Sequence, residues 1–327
     1  MGEYGLGGYV MLVGKEAFCD YQTIQEAIDE LERRPAGEAQ TLYILAGVYE
    51  ETVRIYRSDL TVTGIGEVII KSNRYARQLD VTGEEQGTFA TPTLFLGGSR
   101  LVIEHLTVSN TAGQGPEIGQ ALALYAHCDE TVFRNCTFKG HQDTIFTGPL
   151  PAANKHGGPF GGIPLRERHK RCRQLYTRCY IEGTVDFIFG GAAAYFEHCE
   201  IRSLLSCNEG SGYVTAASTP QGHSFGYIFD ECYLTAAEDV TGVYLGRPWR
   251  GYAATAFVNC RLGPHIHPLG WDNWSNPANE TTVRYREYGI AEDDPLRGQR
   301  VPWALLPEKG EAVPDKAQVF AGTEFWR

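Results

Sequence analysis

Residues 132–138 read VFRNCTF, and the same pattern returns four times: LYTRCYI at 175–181, YFEHCEI at 195–201, IFDECYL at 228–234 and FVNCRL at 257–262. Each copy has apolar residues, one or two polar residues, a cysteine, any residue and then an apolar residue. The cysteines, Cys136, Cys179, Cys199, Cys232 and Cys260, are separated by 43, 20, 33 and 28 residues. A fixed local pattern at irregular spacing suits a solenoid whose coils carry loops of different length. The residues around each cysteine favour strands, so the expected architecture is all-β, a parallel β-helix with one cysteine per coil stacked inside as a small buried hydrophobe. A β-sandwich would show Asn-Gly hairpin turns, and the chain has none.

Upstream of the repeat, short β-rich runs such as TLYILA, TVRIY, LTVTGI and EVIIKS follow one another, punctuated by Gly, Asn and Asp. Before them, YQTIQEAIDELERR places Ile24, Ala27, Ile28 and Leu31 at helical spacing, with Thr23 and Glu26 three apart as in a capping box. One interval is oversized. Residues 148–174 are rich in Pro and Gly and end in the basic run RERHKRCR, which marks a long surface loop. No second domain is indicated, so residues 1–327 are expected to form one unit. From about residue 277 the repeat fades, and the C-terminal segment is expected to pack along the solenoid or cap its end.

The 327 residues carry a formal net charge of −11, with 43% hydrophobic residues. Nucleic acid binding needs a basic face and is excluded as an expectation. No apolar run approaches the roughly 20 residues of a membrane span. The nine cysteines include no C-x-x-C pair, which argues against a zinc ribbon and for thiols in a reducing compartment. The N-terminus shows no basic region or cleavage site of a signal peptide. A cytoplasmic location follows as an expectation, or a secreted one if a leader has been trimmed. A monomer is expected.

The repeat also places two carboxylates. Asp143, in GHQDTIFTG, lies seven residues after Cys136, and Asp186, in EGTVDFIFGG, lies seven after Cys179. If the cysteines are equivalent, the aspartates face the same way on successive coils, about 4.7–4.9 Å apart. Like charges that close split their pKa values, leaving one group as acid and the other ionised. That division suits a nucleophile paired with a general acid/base. Gln120 precedes a strand in GQALAL, and YLGRPW sets Arg247 and Trp249 in a turn; Arg can hold a carboxylate ionised. Taken singly, a surface Gln, a solvated Arg and a packing Trp are the better readings of these residues. The H-x-H pair His265 and His267 lacks a carboxylate partner and reads as loop histidines rather than metal ligands.

Together YQTIQEAI, GVYEE, NTAG, GQALAL, HQDTIF, YIEGTVDFIFG, YLGRPW and GWDNW resemble the pectin methylesterase (pectinesterase) family, in order and through most of the chain. The resemblance implies a right-handed parallel β-helix that removes methyl esters from pectin or methylated oligogalacturonides. It implies Asp186 as nucleophile, Asp143 as general acid/base, Gln142 and Gln120 as oxyanion donors and Arg247 as orienting partner of Asp186. Trp249, with Thr111, Phe187 and Trp271, would contact the sugar chain, and neither metal nor other cofactor is implied. The 43 residues between the two aspartates exceed the family's usual gap, and the excess is the Pro/Gly-rich stretch. That stretch is expected to close one end of the groove, its basic tail binding carboxylates of short oligogalacturonides. Competing readings are cleavage of a glycosidic bond by the carboxylate pair, hydrolysis of another ester, and a non-catalytic carbohydrate-binding solenoid using Trp249, Trp271 and Trp274.

Overall fold

The computed structural model describes residues 9–35, 39–207, 212–289, 297–308 and 310–327. Among them, every pairing between strands is parallel, in one sheet of 16 strands and a second of 7. The larger sheet folds into two faces at the long strand Leu60–Ser72. The first part of that strand pairs with Ser99–Glu104, and its last residues pair with Thr107–Asn110. Each coil therefore contributes one strand to each of three faces, which is the parallel β-helix that the repeat predicts.

The corner between two of the faces explains the repeat. The residue before each repeat cysteine adopts a left-handed backbone: Asn135, Arg178, His198, Glu231 and Asn259 all have φ near 50°. Non-glycine residues adopt this region uncommonly, Asn more readily than most. The bend turns the cysteine inward, where each thiol lies 3.3–3.6 Å from a carbonyl oxygen of the preceding coil, as from Cys136 to Ile103 and Cys179 to Phe133. Beside the thiols, Phe133, Tyr176, Phe196, Phe229 and Phe257 stack ring on ring with centroids 4.4–4.6 Å apart. These two interior ladders fix the register of the coils.

The helix spans Ile24–Arg33, with Ile24, Ala27, Ile28 and Leu31 buried as the spacing requires. Thr23 accepts from the Glu26 backbone, but the Glu26 carboxylate takes the Thr23 hydroxyl rather than closing a capping box. The open N–H groups of Ile24 and Gln25 are met instead by the Glu51 carboxylate, at 3.0 Å each. This cap arrives from a distant strand end and offsets the helix dipole.

Two boundaries move. The strand Arg173–Thr177 begins before the expected end of the insertion, so the excursion closes at residue 172. The repeat also outlasts residue 277, because Arg284–Tyr288 adds a further strand beside Ala254–Val258. Beyond it, Val319 and Phe320 lie against the outward-facing Val132, Leu175, Tyr195 and Ile228. The expectations for the N-terminal stretch fall partly on residues 1–8, and those for the C-terminal segment partly on residues 290–296 and 309, outside the described residues.

Candidate active site

The strands Ile145–Thr147 and Ile188–Gly190 are adjacent in the smaller sheet, with Ile145 opposite Ile188. On the neighbouring face Thr137 stands opposite Tyr180. Cys136 and Cys179 are thus equivalent, and so are Asp143 and Asp186, as the matched offsets require. The Asp143 N–H donates to the Val185 carbonyl at 3.0 Å, which ties the two coils where the carboxylates emerge. Both aspartates have left-handed backbones, with φ of 62° and 50°. That bend aims each side chain outward just before the chain enters its strand. Close packing beneath Asp186 requires Gly183, since a Cβ there would lie 2.2 Å from Cβ of Phe187.

Asp143 and Asp186 are 8% and 6% exposed, enough to reach a substrate yet largely out of water. Arg247 grips Asp186 with a two-pronged fork, Nε to Oδ1 at 2.8 Å and Nη2 to Oδ2 at 2.7 Å. The guanidinium is itself sandwiched between the rings of Tyr213 and Trp274, at 3.9 and 3.8 Å from their centroids. Burial pushes the Asp186 carboxyl upward and Arg247 opposes that shift. Asp143 has no such fork; burial first and then the neighbouring Asp186 push it well above the usual carboxylate range, against the pull of Arg247. Both carboxyls are raised and Asp143 the further, so the two are split in the direction that a nucleophile and an acid need.

A pocket of about 330 Å³ opens over the pair, lined in part by Gln120, Gln142, Asp143, Asp186, Arg247 and Trp249. The side-chain amides of Gln120 and Gln142 have no hydrogen-bond partner among the described residues, so their N–H groups are available to an incoming oxyanion. Three expected contacts differ. Phe187 and Trp271 are 0% and 1% exposed and belong to the interior, so neither offers a face to sugar. Trp271 stacks on Tyr285 and donates its Nε1–H to Glu287, which is held in turn by buried Arg300. Thr111 is exposed, but its hydroxyl donates to the Ser72 carbonyl at 3.1 Å outside the pocket lining. Its neighbour Asn110 has the structural part in NTAG. Its Nδ2 donates to Arg74 and Leu122 carbonyls at 2.8 and 2.9 Å, fixing the segment that carries Gln120.

The sequence reading also missed part of the wall. Phe89, Phe189 and Arg250 line the pocket beside Trp274, which only the carbohydrate-binding alternative named, and the insertion supplies Asn154, Lys155 and Phe160. Phe160 packs between Phe89 and Trp249, with centroids 5.3 and 5.7 Å away. The basic tail lies elsewhere. Arg166 pairs with Glu32 and covers Tyr56, and Arg173 pairs with Asp129 and Glu130. These partners take up the two charges and account for their absence from the groove. His265 is buried, and His267 stacks on Tyr244 at 4.3 Å.

The site is thus a parallel β-helix face bearing an in-register carboxylate pair, one member locked by arginine beside unpartnered amides. The chain belongs to the Pectinesterase family, whose profile matches residues 10–150 and 168–327. It is 31% identical to Pectinesterase 2 of Citrus sinensis over 90% of this chain and 53% of that protein. It is 30% identical to Pectinesterase 31 of Arabidopsis thaliana, over 96% of this chain and 90% of that protein. The chain spans about half the length of several curated relatives it matches, 47–53% in three of them. Among solved structures, the pectin methylesterase from carrot superposes with a TM-score of 0.78 at 25% identity, over 98% of this chain and 95% of that one. The Aspergillus niger pectin methylesterase gives 0.73 at 27% identity, over 97% and 95%. Residues 151–167, the core of the insertion, fall outside the family match.

Proposed function

We propose that this chain hydrolyses methyl esters of galacturonate in pectin or methylated oligogalacturonides, releasing methanol. The observation that carries the reading is the in-register pair Asp143 and Asp186 with the Arg247 fork on one member only. In the first half-reaction an Asp186 oxygen attacks the ester carbonyl, whose electron pair moves onto oxygen. Gln120 and Gln142 donate to that oxyanion. As the intermediate collapses, the C–O bond to the methoxy group breaks and Asp143 gives it a proton, so methanol leaves and an acyl-enzyme anhydride remains. Asp143, now a carboxylate, takes a proton from water as the water oxygen attacks the same carbon. Collapse restores the Asp186 carboxylate and frees the uronic acid, which loses its proton to solvent.

The energetics support this division. An ionised carboxylate is a weak nucleophile in water, and burial strips its hydration while placement supplies proximity. Each oxyanion donor is worth about 2.7–4 kcal/mol in comparable sites. Trp249 offers an apolar plate at the pocket edge for a sugar ring, and the chain is read as acting on its own, as a monomer. Methanol release from methylated pectin and from short methylated oligogalacturonides tests the reading directly. Methanol from either supports it. New reducing ends without methanol would mean that the pair cuts glycosidic bonds instead, and release of neither would remove the catalytic reading.

A further inference from the structure

The charge balance of the pocket points to what its substrate carries. The chain as a whole has a formal charge of −11, which repels a polyuronate at long range. Inside the pocket, the Arg247 charge is matched by the Asp186 carboxylate that it grips, so it leaves no cation for substrate. Two cations remain on one wall. Arg250 spends Nη1 and Nη2 on the Trp249 and Ala153 carbonyls, at 2.8 and 3.0 Å, and meets no carboxylate among the described residues. Lys155 is exposed beside it, and its ammonium has no partner among the described residues.

The backbone that presents Lys155 is well tied down. Asn154 Oδ1 accepts from the N–H groups of His156 and Gly158, at 2.9 and 3.1 Å, and its Nδ2 donates to the Pro159 carbonyl at 2.9 Å. On one side of this turn Arg250 anchors Ala153; on the other, Phe160 is packed between Phe89 and Trp249. The turn lies wholly within the stretch that the family match omits.

We propose that Lys155 and Arg250 form a carboxylate-reading wall, binding the free acid of a uronate next to the one whose ester is cut. This rests on the esterase reading given above. A partly demethylated oligomer is then held more tightly than a fully methylated one, through residues of this chain's own insertion. Lys155 is a specificity-determining residue, since it lines the same pocket with no hydrogen bond or ion pair to Asp143 or Asp186.

The test uses the full chain and its Lys155→Ala and Lys155→Glu variants, both at an exposed position that should leave folding intact. Methanol release is measured on a fully methylated oligogalacturonide and on the same oligomer with part of its esters removed. For the partly demethylated substrate, Lys155→Ala should raise KM roughly 2–5-fold and Lys155→Glu roughly tenfold, with kcat unchanged, as expected for an exposed ion pair lost and then reversed. On the fully methylated substrate KM should change far less, so the ratio of the two KM values shifts in the variants. Added salt should shrink the difference. Equal KM values for all three proteins on the acid-bearing substrate would overturn the proposal, as would an equal loss on both substrates. A separate arm measures binding of unmethylated trigalacturonate by calorimetry. It reads the wall even if no methanol is released: weaker binding in Lys155→Glu upholds the wall, and equal binding by all three proteins rejects it.

Discussion

Two apolar columns run along the outside of the solenoid, and each is covered by chain that does not repeat. Phe95, Tyr125, Phe146 and Phe189 form one column, with successive ring centroids 4.9–5.0 Å apart, and Phe160, Ile163 and Leu165 of the insertion lie over it. Val132, Leu175, Tyr195 and Ile228 form the other, covered by Val319 and Phe320 near the C-terminus. Both covers remove apolar surface from water, and the energetic reason for each is the same. Only the first cover stands at the edge of the carboxylate pair, and only it contributes side chains to the pocket. A segment that shields a solenoid face thus becomes part of a site when the face it shields ends at reactive groups.

This contrast can be broken most severely at its chemical end. Replacing Asp186 with Ala should lower kcat for methanol release by about 10⁴-fold or more, as loss of a nucleophile does elsewhere. The C-terminal cover would be untouched and the fold retained by circular dichroism. Gln142→Ala should cost roughly 10²–10³ in kcat with little change in KM, the signature of an oxyanion donor. The two covers separate most clearly when each loses one ring. Phe320→Ala should destabilise the protein by about 3–5 kcal/mol, measured by denaturant unfolding, and leave kcat/KM unchanged. Phe160→Ala, in a half-buried position, should cost less stability yet lower kcat/KM roughly tenfold, because it shifts the wall beside Trp249. If both variants lose stability alone, the insertion is only a cover.

The pH dependence sharpens the same point on a finer scale. The proposed mechanism requires Asp186 ionised and Asp143 protonated, so kcat/KM should rise as pH passes up through the Asp186 pKa and fall as it passes the higher Asp143 pKa. Both carboxyls have folded-state pKa values raised by burial. The folded state therefore holds protons that the unfolded chain has released, and stability falls as pH rises from the ordinary carboxylate range through the folded values. Asp143→Asn should flatten most of that decline and raise Tm at neutral pH while abolishing turnover. A pH–stability curve that is unchanged in Asp143→Asn would mean that this carboxyl is not held protonated.

Much of this was legible in the sequence because the solenoid repeats its interior. A cysteine per coil recorded the register, and the offset of seven residues carried that register to Asp143 and Asp186. The outside of the coil leaves no such record. Phe187 and Trp271 sit in motifs rich in site residues, yet the left-handed bend at Asp186 sends Phe187 inward, and Trp271 is committed to Glu287 and Tyr285. Nothing local distinguishes Trp271 from Trp274, three residues on, which covers Arg247 instead. The insertion misled through its charges. Its basic tail stands out in sequence, but the acidic groups that hold its two ends, Glu32 on Arg166 and Asp129 with Glu130 on Arg173, come from distant parts of the chain. The residues that reach the pocket are a single lysine, an asparagine and a phenylalanine among Pro and Gly. Phe160, Ile163 and Leu165 were the available signal, since a loop in open water has no need of three large apolar side chains.

The thiol ladder also turns the chain into a gauge of its own integrity. Cys128, Cys136, Cys172, Cys179, Cys199 and Cys232 are buried, Cys19 and Cys260 are half-buried, and Cys207 is exposed. An alkylating reagent should mark the intact protein mainly at Cys207. Each coil that opens then adds its own cysteine to the labelled set, so the positions marked would show which end of the solenoid frays first.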